Sequence, residues 1–523
     1  MKSTQFNNSF SRLSDQFRLE VEGDQSSPFR NLLTWFVLFF GIASCLPLLI
    51  TTVDLWDGVI NTYAADTGRP EIFSTWYEEA GWLGVDQLYS ALYYFSEMIS
   101  IDLKVIINII VFSSVVASGF EIFYLSHKVY KVPTNLSLLG VLFFFVAPFI
   151  PLYISSVFLM HALAIYLCLL GTRLYLTASD NQHFKTIVGF LLVALSFEHN
   201  SNPTLFFFLM VIAYLVGGRR NLLKDGLVLV SLAIIFLAYK NFSVPFGLYS
   251  GYNKTSLSSI FNLSSWKTYV DYFLHYYSVI PLVALLLFLQ DPKKGLILWG
   301  VIFSLLFLVL PYVSVAKFPL ISDINNSNGW SQRFIINLYV GICVSFPLII
   351  YYVVRYTPIL TGVFTVLAGL FMFSQVAEAY YFSYSSKAKS VFYSYEFTDA
   401  LQELEKPEPG NVYVRHGAHN PSYYETNSYF YNAYGIAAWM NVSSMEQRSI
   451  GSTFRFQKYK DKYILSDYSY RCTTGYFVDD QIDKISRFDL LFGLYSKLYQ
   501  DNAFQAVEIV PTGTDCVNSL GEY

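Results

Sequence analysis

A succession of long apolar runs constrains this chain before anything else does. A spanning helix needs about 20 mostly apolar residues. About eleven runs approach that length: 31–53, 103–125, 134–150, 153–175, 185–198, 203–217, 226–243, 270–289, 295–314, 334–354 and 358–378. Of these, 134–150 and 185–198 are short. "FFVAPFIPLYI" (144–154) reads as a tight turn between the third and fourth runs, because Pro148 and Pro151 interrupt the helical hydrogen-bond ladder. Only 14% of the 523 residues are charged, against roughly 25% in a soluble protein. The expected fold class is an α-helical polytopic membrane protein with about eleven transmembrane helices, and the lipid bilayer is its first partner. A net charge of −4 gives no sign of nucleic acid as another.

Lysine and arginine in the short loops set the expected orientation. Every second connection is basic: "SHKVYK" (126–131), "GGRRNLLK" (217–224), "DPKKG" (291–295) and Arg355, with Arg173 and Lys185 flanking another. These belong in the cytoplasm, with the polar segment 1–30, which lacks the apolar core of a cleavable signal. The alternate loops are poor in basic residues and fall on the outer side. An odd number of spans then sends residues 385–523 outside as well. Outside, disulfides persist. The tail holds two cysteines, Cys472 and Cys516, and they are expected to pair.

The expected domains are therefore 1–30, a transmembrane unit 31–384, and an outer domain 385–523. In the tail, 390–417 reads as a helix, a Pro/Gly break and a short strand at 411–414, 487–502 as a helix, and 461–467 and 505–511 as strands, which argues a small α/β domain. The first outer loop, 54–102, is long. Its segment 81–100 carries Leu83, Leu88, Leu92, Phe95 and Ile99 as a helical stripe, with Trp82, Tyr89, Tyr93 and Tyr94 suited to the headgroup layer. It reads as an interfacial amphipathic helix.

Chemistry concentrates at the exit of the first run, "ITTVDLWDGVI" (50–60). If helix continues through it, Asp54 and Asp57 share one face at i and i+3 and oppose the helix dipole. More acids follow in the same loop, Glu78 and Glu79 among them. "FEHNSNP" (197–203) sets Glu198 and His199 at the outer end of the fifth run. Arg333 stands where the tenth begins, and Lys254, Lys317 and Trp330 lie in outer loops. Carboxylates facing cations suggest a reaction on an anionic lipid. A carboxylate takes the proton of an acceptor hydroxyl, and Arg333, Lys254 or Lys317 holds a lipid phosphate. Trp330 and its aromatic neighbours would stack on sugar rings. No P-loop, G-x-G-x-x-G, G-x-S-x-G, H-E-x-x-H or C-x-x-C is present. "RHGAH" (415–419) reads as a loop.

This layout resembles the GT-C superfamily of membrane glycosyltransferases. The residues that carry the resemblance are Asp54 and Asp57 in "DLWDG", the helix at 81–100 and the tail from 385. In size and span number the chain is similar to the serotype-converting O-antigen glucosyltransferases of Gram-negative bacteria. The resemblance implies a GT-C-like fold in the bacterial inner membrane, with the C-terminal domain periplasmic. It implies a polyprenyl-phosphate sugar donor, a glycan acceptor and inverting displacement. In that scheme Asp54 or Asp57 is the base, with Glu78 and Glu79 as further carboxylates. Arg333 steadies the phosphate, and Glu198 or His199 orients a substrate. Some members use a divalent metal and others none, so the resemblance fixes no cofactor. The competing readings are a polysaccharide polymerase or ligase, and a lipid-linked-sugar flippase or transporter. The first would want arginine-rich outer loops. The second would want mid-membrane ionisable groups, for which only His161 and Glu121 offer themselves.

Overall fold

Among the described residues the apolar runs are mostly helical, because in hydrocarbon a backbone must satisfy its own hydrogen bonds. The computed structural model describes residues 32, 34–317 (except 79, 83, 180, 199–201, 217–221 and 247–256), 330–356, 367–385, 387 and 391, and four strands between 454 and 511. The helices are α1 (Thr34–Ile50), α2 (Val59–Asp66), α3 (Val85–Ile99), α4 (Leu103–Tyr124), α5 (Thr134–Phe145), α6 (Leu159–Thr177) and α7 (His183–Leu195). They continue with α8 (Asn202–Leu215), α9 (Leu222–Phe242), α10 (Leu263–Tyr277), α11 (Val279–Gln290), α12 (Pro292–Phe307), α13 (Ile336–Tyr356) and α14 (367–385).

Among the described residues, four helical stretches are long and apolar enough to cross a bilayer: Leu103–Val129, Ser156–Thr177, Pro292–Ser314 and Arg333–Arg355. A fifth is added if α10 and α11 count as one broken span. The chain is a multi-pass helical membrane protein. The outward faces fit a lipid solvent. α9 exposes Leu223, Leu227, Val230, Ile234 and Leu237, a face three and four residues apart that water would penalise.

Two runs depart from straight spans. α1 is broken by a π-helical turn at Val37–Gly41 and a further turn before Pro47. The run 270–289 is not one helix, because α10 and α11 meet at an angle of 81°. Pro281 supplies the reason: without an N–H it leaves the carbonyl of Tyr277 without its helical partner.

At the centre lies α13, the most enclosed span. Pro347 inside it removes the donor that would reach the carbonyl of Cys343. Gly140 of α5 packs over that place, where a Cβ would stand 2.4 Å from the Cys343 oxygen. α6 lies against α4 and α7, and meets α7 through Gly171 and Gly189, each glycine touching the backbone of the other helix. Close approach of this kind is how small residues hold helices together in lipid.

The expected turn at 144–154 is larger than a turn. After α5 the chain runs through 3-10 turns at Ile150–Ile154 and Ser156–Phe158, and every residue from Phe149 to Phe158 is buried. A non-helical segment inside the bundle needs outside partners for its backbone. Those partners build the site.

In the tail, β1 (Phe454–Tyr459), β2 (Lys462–Asp467), β3 (Thr474–Asp480) and β4 (Phe504–Pro511) form an antiparallel meander in the order β1-β2-β3-β4. Tyr459 pairs with Lys462, and β3 and β4 carry a bulge at Phe477/Val478. The expected strands 461–467 and 505–511 coincide with β2 and β4. The expected strand 411–414, the helix before it apart from Val391, the helix 487–502 and both tail cysteines lie outside the described residues.

Candidate functional site

α1 stops at Ile50, where Thr51 turns extended (φ −75°, ψ 117°). Asp54 therefore sits in a loop, and Asp57 in a 3-10 turn at Trp56–Gly58. The expected shared helix face does not exist. The expected conflict with a helix dipole falls with it. The two acids have different fates: Asp54 is buried at 4% exposure, and Asp57 is half-buried.

Asp54 Oδ1 accepts the backbone N–H of Leu55 at 2.9 Å and that of Ser156 at 2.8 Å. The ammonium of Lys104, at the start of α4, stands 3.6 Å from the same oxygen and donates to the carbonyl of Ile154. Both side chains of this pair are 1% exposed. Asp54 Oδ2 is buried and has no hydrogen-bond partner. One carboxylate oxygen is thus fully used and the other is unused.

Around the pair the same pattern repeats. The Ser155 hydroxyl donates to the carbonyl of Leu55 at 2.5 Å, and the Ser156 hydroxyl to that of Gly58 at 3.1 Å. Asn61 donates its amide to Ser156 Oγ at 2.8 Å and accepts the Tyr77 hydroxyl at 2.7 Å. Tyr89 donates to the carbonyl of Ser156 at 2.6 Å. Asn108 of α4 donates to the carbonyl of Thr51 at 2.6 Å. The loop after α1 and the buried segment before α6 are therefore tied by side chains, each satisfying a group that would otherwise cost several kcal/mol in hydrocarbon, by the roughly 2–7 kcal/mol scale for unpaired polar groups.

The first loop braces this knot with stacked rings. Tyr77 stacks on Tyr89 with centroids 4.6 Å apart, and on Trp82 at 5.8 Å. Trp82 meets His161 of α6 edge-on at 5.9 Å. Burial holds the Tyr77 and Tyr89 phenols protonated, well above their ordinary range. Asp66, at the end of α2, reaches solvent at one edge, yet its packed surroundings, and then the Asp102 carboxylate, push it up to about 6. The helix expected over 81–100 is α3, with Gly84 before it at φ +80°. Leu88 and Leu92 are half-buried, while Phe95 and Ile99 are exposed. Tyr89 and Tyr93, expected at a headgroup layer, are buried instead.

The expected cations come together in part. Arg333 lies over the ring of Phe334 at 4.8 Å, and Lys317 over the same ring at 5.8 Å. The Tyr269 hydroxyl donates to the carbonyl of Lys317 at 2.9 Å. An aromatic path joins α13, which follows Arg333 in the chain, to the knot. Tyr339 of α13 meets Phe149 at 5.7 Å, Phe149 meets Tyr153 at 5.7 Å, and Tyr153 meets Phe158 at 6.2 Å. The segment around Glu198 is tied to α13 as well, because Asn337 donates to Asn202 at 3.2 Å.

Glu78 is exposed at the end of a π-helical turn and belongs to no part of the knot described above. Glu79, Lys254 and His199 lie outside the described residues, as do the side chains of Glu198 and Trp330. Sequence reasoning missed Lys104, Ser155, Ser156, Asn61 and the Tyr77–Tyr89 pair. The one local signal was a lysine set two residues into an apolar run. It also missed Asp225, which is buried and accepts the hydroxyls of Tyr175 and Tyr214. Glu121, a mid-membrane candidate of the transporter reading, has a partner. It pairs with Arg173 of α6 through two hydrogen bonds.

Among the described residues no three His, Cys, Asp or Glu side chains gather to hold a metal. Asp54 already has an ammonium as its neighbouring cation, so this donor set does not fit a divalent ion. Fold and site together define a multi-pass helical membrane protein that holds a buried ion pair against a non-helical segment. Comparison with protein-family models, with curated proteins and with solved structures finds no match.

Proposed function

We propose that this chain is a membrane glycosyltransferase of the GT-C kind. It moves a hexose, glucose by the resemblance, from a polyprenyl-phosphate donor to a cell-surface glycan such as O-antigen. The observation that supports this reading is Asp54, an oriented carboxylate with one oxygen fixed and one unused. Arg333 and Lys317, gathered on one ring and linked to the same segment, add to it.

In this mechanism the acceptor hydroxyl gives its proton to Asp54 Oδ2 as its oxygen attacks the anomeric carbon. The bond from that carbon to the phosphate oxygen breaks, and polyprenyl phosphate leaves with the bonding pair. Attack opposite the leaving group inverts the centre. Arg333 and Lys317 neutralise the phosphate as charge develops on it. Asp57 is the second candidate base. The same reading sets about eleven spans in the inner membrane, the N-terminus in the cytoplasm and a small α/β domain, residues 385–523, in the periplasm.

The test is hexose transfer from polyprenyl-phosphate sugars in membranes, comparing wild type with Asp54→Asn and Asp57→Asn at matched expression. Loss of a general base costs about 10²–10⁴-fold in rate, and Asp54→Asn is expected to show it. Normal transfer by both variants would remove the exit acids from the mechanism. No transfer by wild type from any such donor would overturn the reading and favour a polymerase or a flippase.

A further inference from the structure

We propose that Lys104 is a positioning residue, whose ammonium clamps Asp54 and the buried segment 150–158 together and so fixes where the second oxygen of Asp54 lies. The role assigned to Asp54 rests on the proposed function; the clamp itself does not.

Stability alone does not account for the pair. Removing two charges from water costs more than their attraction commonly returns, and apolar replacements of buried pairs are often neutral or better. What an apolar pair cannot do is satisfy backbone. Lys104 is the donor to Ile154, and Asp54 the acceptor for Ser156. Two adjoining stretches of the segment are held by two ends of one ion pair. Lys104 is itself held, because Asp102 caps α4 through the Lys104 N–H at 2.6 Å. Among the described residues, the ionisable groups around Asp54 are Lys104 from α4, Tyr77 and Tyr89 from the first loop, and Asp57 from its own turn, with Asp102 beyond Lys104. Lys104 is the one cation in that set, and the buried phenols stay neutral. Removing it leaves Asp54 facing neutral and negative groups.

Two readouts test this. The first is alkylation of Val157→Cys in membranes, corrected for the parent protein. Val157 is buried within the clamped segment, and Cys45, Cys168 and Cys343 are buried too. Lys104→Met should raise labelling of Val157→Cys tenfold or more, and Lys104→Arg should restore protection. The second is the pH profile of transfer. The acid limb should shift in Lys104→Met, which loses an adjacent opposite charge, and stay near wild type in Lys104→Arg. If Lys104→Met does not accumulate, the double variant Asp54→Asn/Lys104→Met leaves no lone charge, and it should still expose Val157→Cys. A protected Val157→Cys in every variant lacking the lysine, or an acid limb that does not move, overturns the proposal. Labelling needs no transfer. The expected labelling with no transfer by wild type would keep the clamp and discard the catalytic reading.

Discussion

Gly58 marks how little room surrounds Asp54. A Cβ at this position would stand 2.2 Å from Asp54 Oδ1 and 2.4 Å from Ser155 Oγ, both already committed to hydrogen bonds. Gly58→Ala should therefore destabilise by about 1–3 kcal/mol, as overpacked sites do, and thermal unfolding in detergent should report a lower midpoint. Tyr77→Phe keeps the ring stack but removes the donor to Asn61. It should cost about 1–3 kcal/mol for the acceptor left unsatisfied, with stacking at Trp82 retained in near-ultraviolet dichroism. At this scale the sequence was half legible. An acid after an apolar run drew attention to Asp54, but through a helix that stops short of it. Its partners could not be read, because Lys104 and Ser156 are about 50 and 100 residues away and no local pattern encodes that pairing.

Elements were more legible than residues, for a physical reason. Hydrocarbon favours helix on an apolar stretch, so each expected run is helical over most of its described residues, and 134–150 and 153–175 give way to the non-helical segment between them. Bends were not read, although Pro281 and Pro347 stood inside two runs. Helix contacts were not read either, since Gly171 and Gly189 matter only once α6 and α7 are side by side. Gly171→Ala should push the helices apart, because a Cβ there meets the Gly189 carbonyl at 2.7 Å; lower thermal stability in detergent would check it. Glu121 and Arg173 couple α4 to α6. Glu121→Gln should destabilise by leaving Arg173 a partly buried lone charge, and Glu121→Gln/Arg173→Met should recover much of the loss. A double-mutant cycle on unfolding midpoints measures that coupling.

For the whole molecule, the alternation of basic loops leads to a prediction about sides. In the proposed orientation a membrane-impermeant maleimide added to intact spheroplasts should label Asn262→Cys and spare Lys128→Cys; both positions are exposed. The same orientation predicts that Cys472 and Cys516 react with maleimide only after reduction. The buried segment adds a consequence in time. Asp54 and Lys104, which neutralise its backbone, precede it in the chain, and so do Asn61, Tyr77 and Tyr89. Domains and helices emerge from the ribosome N-terminus first, so the receptor for residues 150–158 is assembled before its guest is made. A nascent chain arrested before Ile154 would carry Asp54 and Lys104 without the backbone partners that the segment supplies. That is the point in biogenesis at which a quality-control protease would find the most to recognise.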